Sequence, residues 1–168
     1  MCFLPAAAEN PFHTPARYLC AGLAAGDICL AIAPSRWRAQ MSTLLHSYGQ
    51  DPGHAQASRD LVFLDIWDYY CPPAEFTADR QIERLSEALG RVAVPGRTLR
   101  VFGHGPARMT GLDQDEWRDY EQQCTPILGE AKALGLCSYA ELPEHSPLAE
   151  VALTTHKHLL SGGQVNAL

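Results

Sequence analysis

The sequence predicts a three-layer α/β fold, a mostly parallel sheet with helices on both faces, and three observations carry that prediction. Short apolar runs alternate with helical patterns of ten or more residues, the spacing that crossover connections between parallel strands require. The run Asp27-Ile-Cys-Leu-Ala-Ile-Ala33 is continuously apolar after its first residue, as suits a central strand covered on both faces. The 168 residues, 46% of them hydrophobic, suffice for one well-filled core, and no repeat, low-complexity tract or charge block divides them, so residues 1–168 read as one domain.

In chain order, residues 1 to 4 make a short first strand, and Pro5, Asn10, Pro11 and Pro15 mark an irregular connection into a helix that runs to about Ala25 and stops at Gly26. The Asp27 to Ala33 strand follows. Pro34-Ser35 opens the next helix, where Trp37, Met41, Leu44, Leu45 and Tyr48 recur at helical spacing along one apolar stripe. Gly49 to Ser58, with Pro52 and Gly53, reads as a polar loop, and Leu61-Val-Phe-Leu-Asp-Ile-Trp67 as the third strand.

Cys71-Pro-Pro is a rigid break, after which Thr77 caps a helix with Ile82, Leu85 and Leu89 inward and Arg80, Glu83 and Glu87 outward. Thr98 to Phe102 is a fourth strand running into Gly103-His-Gly-Pro106, read as a tight turn. Asp113 to Leu134 is a long helix with Trp117, Tyr120, Cys124, Ile127 and Leu128 inward and Pro126 near its middle. Leu136 to Tyr139 is a fifth strand, Pro147 to Thr155 a short helix, and Lys157 to Leu160 a sixth strand before a Gly162-Gly163 tail.

Thirteen basic against nineteen acidic residues, scattered, give a net charge of -6 and no basic stripe, so direct binding of nucleic acid is not expected. No segment has the length of a bilayer span and no basic-then-apolar leader precedes the first helix, which reads as a cytoplasmic chain. Six cysteines without a C-x-x-C pair fit buried thiols in a reducing compartment better than a zinc knuckle or a redox centre.

A set of short stretches, in this order, resembles one family: Ala21-Gly-Leu-Ala-Ala-Gly-Asp27, Leu61-Val-Phe-Leu-Asp65, Arg100-Val-Phe-Gly103, Tyr120-Glu121, Leu136-Cys-Ser-Tyr139, Thr155-His-Lys-His158 and Ser161-Gly-Gly163. The family is MEDS, the sensory domain of methanogen and methylotroph regulators, including the dichloromethane-responsive repressors. The resemblance implies a RecA-like sheet and an input module that recognises small organic compounds for regulators and kinases. Two positions depart from the family pattern: the first strand is reduced to Met1-Cys-Phe-Leu4, without the usual histidine and aromatic pair, and His104 stands where an acidic residue is usual.

RecA-type ATP hydrolysis needs a glycine-rich loop ending in Lys-Ser or Lys-Thr, which is missing, so the expected architecture is RecA-like without a phosphate-binding loop. Asp65 ends a parallel strand, where open α/β sheets place ligands, and is either a ligand contact or a capping carboxylate. Trp67, Tyr69 and Tyr70 supply a pocket wall, core, or a dimer or partner contact. His104, between two glycines, offers a donor and an acceptor to a ligand or is simply solvated. Glu121 on the long helix either faces inward toward a pocket group or lies on the surface. Tyr139 completes the expected ligand set.

His156 and His158, in an extended H-x-H with Cys137 on a neighbouring strand, could bind zinc or copper, but lack a clear further ligand, so no metal and no cofactor are expected. No cysteine or serine sits in a recognisable activating motif. The chain is therefore expected to bind a small organic ligand without catalysis and to signal to a regulatory partner, a kinase or a transcription regulator, with a homodimer possible. Two alternatives stay open: a pure protein-interaction module, or a small enzyme using Asp65 and His104 as an acid/base pair.

Overall fold

The computed structural model describes residues 1–6, 9–105, 111–140, 142, 146–161 and 164–168. Among the described residues seven strands form one sheet in the order β3-β2-β4-β5-β1-β6-β7, all parallel except the β6/β7 pair. The strands are β1 (Cys2–Phe3), β2 (Ile28–Ala33), β3 (Leu61–Asp65), β4 (Leu99–His104), β5 (Ala133–Ser138), β6 (His158–Ser161) and β7 (Gln164–Ala167). The helices are α1 (His13–Ala25), α2 (Ser35–Ser47), α3 (Pro52–Ala57), the single turn α4 (Ile66–Tyr69), α5 (Ala78–Val92), α6 (Gln114–Glu130) and α7 (Pro147–Thr155).

Helices cover both faces, as the alternating pattern predicts. On one face Leu19 of α1, Trp37, Met41 and Leu45 of α2 and Ala55 of α3 pack on Cys29, Ala31, Phe102 and Leu136. On the other, Leu85 and Leu89 of α5, Trp117, Tyr120 and Cys124 of α6 and Val151 of α7 pack on Ile28, Leu30, Ile32 and Val101. Every residue of β2 is buried, which is why its sequence is continuously apolar rather than alternating. Gly26 ends α1 with φ at 79°, a left-handed conformation that glycine adopts without steric cost.

Local sequence chemistry sets several boundaries differently from the expectation. Residues 49–58 are not all loop: Asp51 accepts a hydrogen bond from the His54 amide at 2.9 Å and Pro52 occupies the first turn, which together start α3. The third strand stops at Asp65 instead of Trp67, because the Asp65 carboxylate accepts from the Trp67 amide at 2.9 Å and opens α4. The fourth strand continues through Gly103 and His104, both paired with β5, so His104 belongs to the sheet and not to a turn. The long helix ends at Glu130, and β5 begins at Ala133. β7, absent from the expectation, forms an antiparallel pair with β6.

Candidate functional site

The residues singled out in the sequence separate into two groups. Asp65 caps α4 and also accepts a short hydrogen bond from the Ser35 hydroxyl; these two bonds hold its carboxyl below the usual range. That is the capping role, and Trp67 beside it is 60% exposed. His104 is buried in the opposite layer, its ring 4.3 Å from that of Trp37 and its Nδ1 2.7 Å from the Gly105 carbonyl, so it is not a solvated loop histidine. Tyr69 and Tyr70 are buried too, and do not join Trp67 in an exposed aromatic surface. The loop after β4, expected to close over a strand-end cleft, falls at 106–110 and lies outside the described residues.

Tyr70, Glu121 and Tyr139 do come together. They line a cavity of about 40 Å³ between the sheet and the α5/α6 layer, walled otherwise by Ile32, Val101, Cys124 and Cys137. Its floor is made of glycine. An added Cβ at Gly103 would meet nothing within 4 Å, so the strand leaves open space there. Gly103, Gly135 and Cys137 keep accessible surface although they belong to interior strands, as the walls of a space that admits water do. A broader groove of about 680 Å³ follows the outer edge of β3, but its arginines include Arg38, Arg91 and Arg97, which are bonded to Gln56, Glu87 and Asp60.

The polar end of the cavity is Glu121, reached because α6 turns the same face inward that carries Trp117, Tyr120 and Cys124. Its residue is 5% exposed, and Oε1 accepts from the Tyr139 hydroxyl at 2.6 Å. Oε2 has no hydrogen-bond partner. Burial lifts the carboxyl from 4.5 to about 7, against the lowering effect of the Tyr139 hydroxyl.

His156 meets this carboxylate from the end of α7, with Nε2 3.6 Å from Oε2. Its Nδ1 lies 3.0 Å from the Ala152 carbonyl, an acceptor only, so the proton sits on Nδ1 and Nε2 presents a lone pair. Burial pulls the imidazole down to about 4, so at neutral pH it carries no charge and the contact is not an ion pair. Cys137 completes the cluster: its Sγ, Glu121 and His156 offer ligand atoms that all lie within 4.8 Å of one another. Burial, with the neighbouring Glu121, pushes the Cys137 thiol well above its ordinary value.

The H-x-H reading is therefore half corrected. His156 terminates a helix rather than lying on a strand, and His158 starts β6 with an exposed side. The partner that the pattern lacked is Glu121, which arrives from a different element. Cys137 is legible as a neighbouring thiol, whereas Gly103 reads as part of a turn and Gly135 falls between the expected long helix and the fifth strand, so neither is marked as a cavity wall.

No curated protein matches the sequence. The sequence profile of MEDS, the MEthanogen/methylotroph, DcmR Sensory domain, matches residues 1–157, nearly the whole chain; the last of the stretches quoted above, Ser161-Gly-Gly163, lies beyond that match. This chain belongs to the MEDS family of sensory domains.

Proposed function

We propose that the chain senses a small organic molecule, which enters the cavity beneath α6, and that the change is read by a regulatory protein, a kinase or a transcription regulator. The observation that carries this reading is Glu121, which lines an otherwise apolar space and whose buried Oε2 has no hydrogen-bond partner. Leaving such an atom unsatisfied costs about 1–3 kcal/mol, which a ligand that supplies a donor recovers on binding. An apolar enclosure with a few convergent polar groups is the usual form of a small-molecule site. Of the residues expected to contact ligand, Tyr70, Glu121 and Tyr139 take that role here.

The size of the space restricts the ligand. A volume of about 40 Å³ accommodates a body of roughly three heavy atoms, given that one water needs about 10–15 Å³ of such space. The test is thermal unfolding with methanol, ethanol, methylamine and formamide, each of which carries an N–H or O–H donor, on the chain and on Gly103→Val, whose side chain projects into the cavity. A ligand at about 100 times its Kd adds about 2.7 kcal/mol, or roughly 5–10 °C for a chain of this size. One compound raising the midpoint in the chain and leaving Gly103→Val unmoved is the expected result. No shift with any of the four, or equal shifts in both proteins, would overturn the proposal.

A further inference from the structure

We propose that Glu121 Oε2, Cys137 Sγ and His156 Nε2 form a three-ligand site for a divalent transition metal of the zinc class, with its open position toward the cavity.

The distances fit a metal and not a shared proton. A carboxyl hydrogen-bonded to an imidazole nitrogen draws the heavy atoms to about 2.7–2.9 Å. Two ligands at about 2.0–2.1 Å from a tetrahedral zinc stand about 3.4 Å apart. Glu121 Oε2 and His156 Nε2 are 3.6 Å apart, two lone-pair atoms facing one another across the space an ion would fill. The thiol Sγ and one ligand atom from each of the other two residues all lie within 4.8 Å of one another, so a closure of at most about 1 Å brings the sulfur to the slightly longer edge of a zinc site.

The surroundings are those of coordinating side chains. A metal-binding imidazole donates its other N–H to a carbonyl or carboxylate, which fixes the tautomer and the ring, and ligating carboxylates are themselves hydrogen-bonded. Both conditions hold at once: His156 Nδ1 faces the Ala152 carbonyl at 3.0 Å, and Glu121 Oε1 accepts from Tyr139 at 2.6 Å. In each residue the atom turned toward the centre is the one left over. The three ligands come from α6, β5 and the end of α7, so the convergence is tertiary and not an accident of helical spacing.

The donor set selects the ion. One thiolate, one imidazole and one carboxylate suit zinc, and magnesium or calcium would demand oxygen ligands. Three protein ligands are the number at sites that keep a position for water or an exogenous donor. Glu121 and Cys137 belong to the cavity wall, so that position opens on the same space, and in the metal-bound protein a guest meets the ion where metal-free protein offers Oε2. Only this last step rests on the sensory reading; the metal site itself stands on its geometry.

The experiment uses the full chain, stripped with chelator and titrated with Co²⁺ and then Zn²⁺, with no organic compound present. The expected result is one equivalent bound per chain, strong ligand-field bands of a four-coordinate Co²⁺, and a thiolate-to-cobalt charge-transfer band that Zn²⁺ abolishes. Cys137→Ser, nearly isosteric, removes the charge-transfer band, and Glu121→Gln weakens binding at least tenfold, with circular dichroism confirming that each is folded. Substoichiometric binding, a six-coordinate cobalt spectrum in the unaltered chain, or a sulfur band that survives Cys137→Ser would overturn the proposal. Because organics are absent, these results are independent of whether a small molecule binds. Organic binding in metal-stripped protein that fails to take up Co²⁺ would refute the metal and leave the sensory reading standing.

Discussion

Replacing Gly103 by alanine should make the protein more stable, against the common expectation for a substitution in the middle of a sheet. Gly103 pairs with Ile32 on β2 and with Cys137 on β5, and its backbone is not in the left-handed region, so an L side chain is not strained there. One term favours alanine. The unfolded chain loses freedom, which is worth about 0.4–1 kcal/mol, and the added methyl stands in open space with no atom within 4 Å, so it neither clashes nor adds packing. The gain raises the unfolding midpoint by roughly 1–4 °C for a chain of this length. Gly105→Ala is the contrast, because its Cβ would stand 2.8 Å from Tyr139 Cδ1 and 3.2 Å from the Ser138 carbonyl, an overpacking that costs about 1–3 kcal/mol. Calorimetric melts of the metal-free proteins decide it. If Gly103→Ala melts below the unaltered chain, or both alanines behave alike, the space beside Gly103 is not open and the cavity argument fails.

Two further outcomes follow from single side chains. Glu121→Gln keeps the acceptor for Tyr139 and places an amide N–H where Oε2 faces the His156 lone pair, so metal-free protein should gain about 1–3 kcal/mol, read from urea unfolding; a loss would show that Oε2 is already satisfied. Asp65→Ala should cost about 1 kcal/mol through the lost α4 cap. Since the bonds from Ser35 and the Trp67 amide lower the folded pKa of Asp65, its contribution is present above the unfolded value of about 3.9 and disappears as pH falls through the lower folded one. The difference between the two proteins at pH 7 should therefore shrink on acidification toward pH 2, and a constant difference would contradict the capping role.

The sheet was legible because its central strand is uniformly apolar and because strands and helices alternate. The ends were less so, for reasons that differ by residue. Gly103-His-Gly105 looks like a turn since glycine usually marks one, but in β4 glycine leaves room on one face while His104 fills the other against Trp37. Asp65 carries both a strand-end and a cap signal, and the cap decides where the strand stops. The inward phase of Glu121 could be read from Trp117, Tyr120 and Cys124 on the same helix. Its meeting with His156 could not, because nothing local specifies that the end of α7 reaches α6 across β5. Periodicity gives the face of a residue, not what lies opposite.

The placement of Glu121 is difficult to explain by folding alone. A carboxyl group in apolar surroundings is penalised by several kcal/mol when charged, and the one hydrogen bond it receives, from Tyr139, returns about 1.5–3 kcal/mol. Leucine would fill the same helix position and part of the cavity with a net gain. Gly103 points the same way, since it gives up strand stability to keep open a space that a larger side chain could fill. Cavity, buried carboxyl and neutral imidazole are thus three local departures from the most stable arrangement, gathered within one region between β5, α6 and α7. Such a concentration of unfavourable choices is what a binding site requires, because a guest can recover free energy only where the empty protein has left some unclaimed.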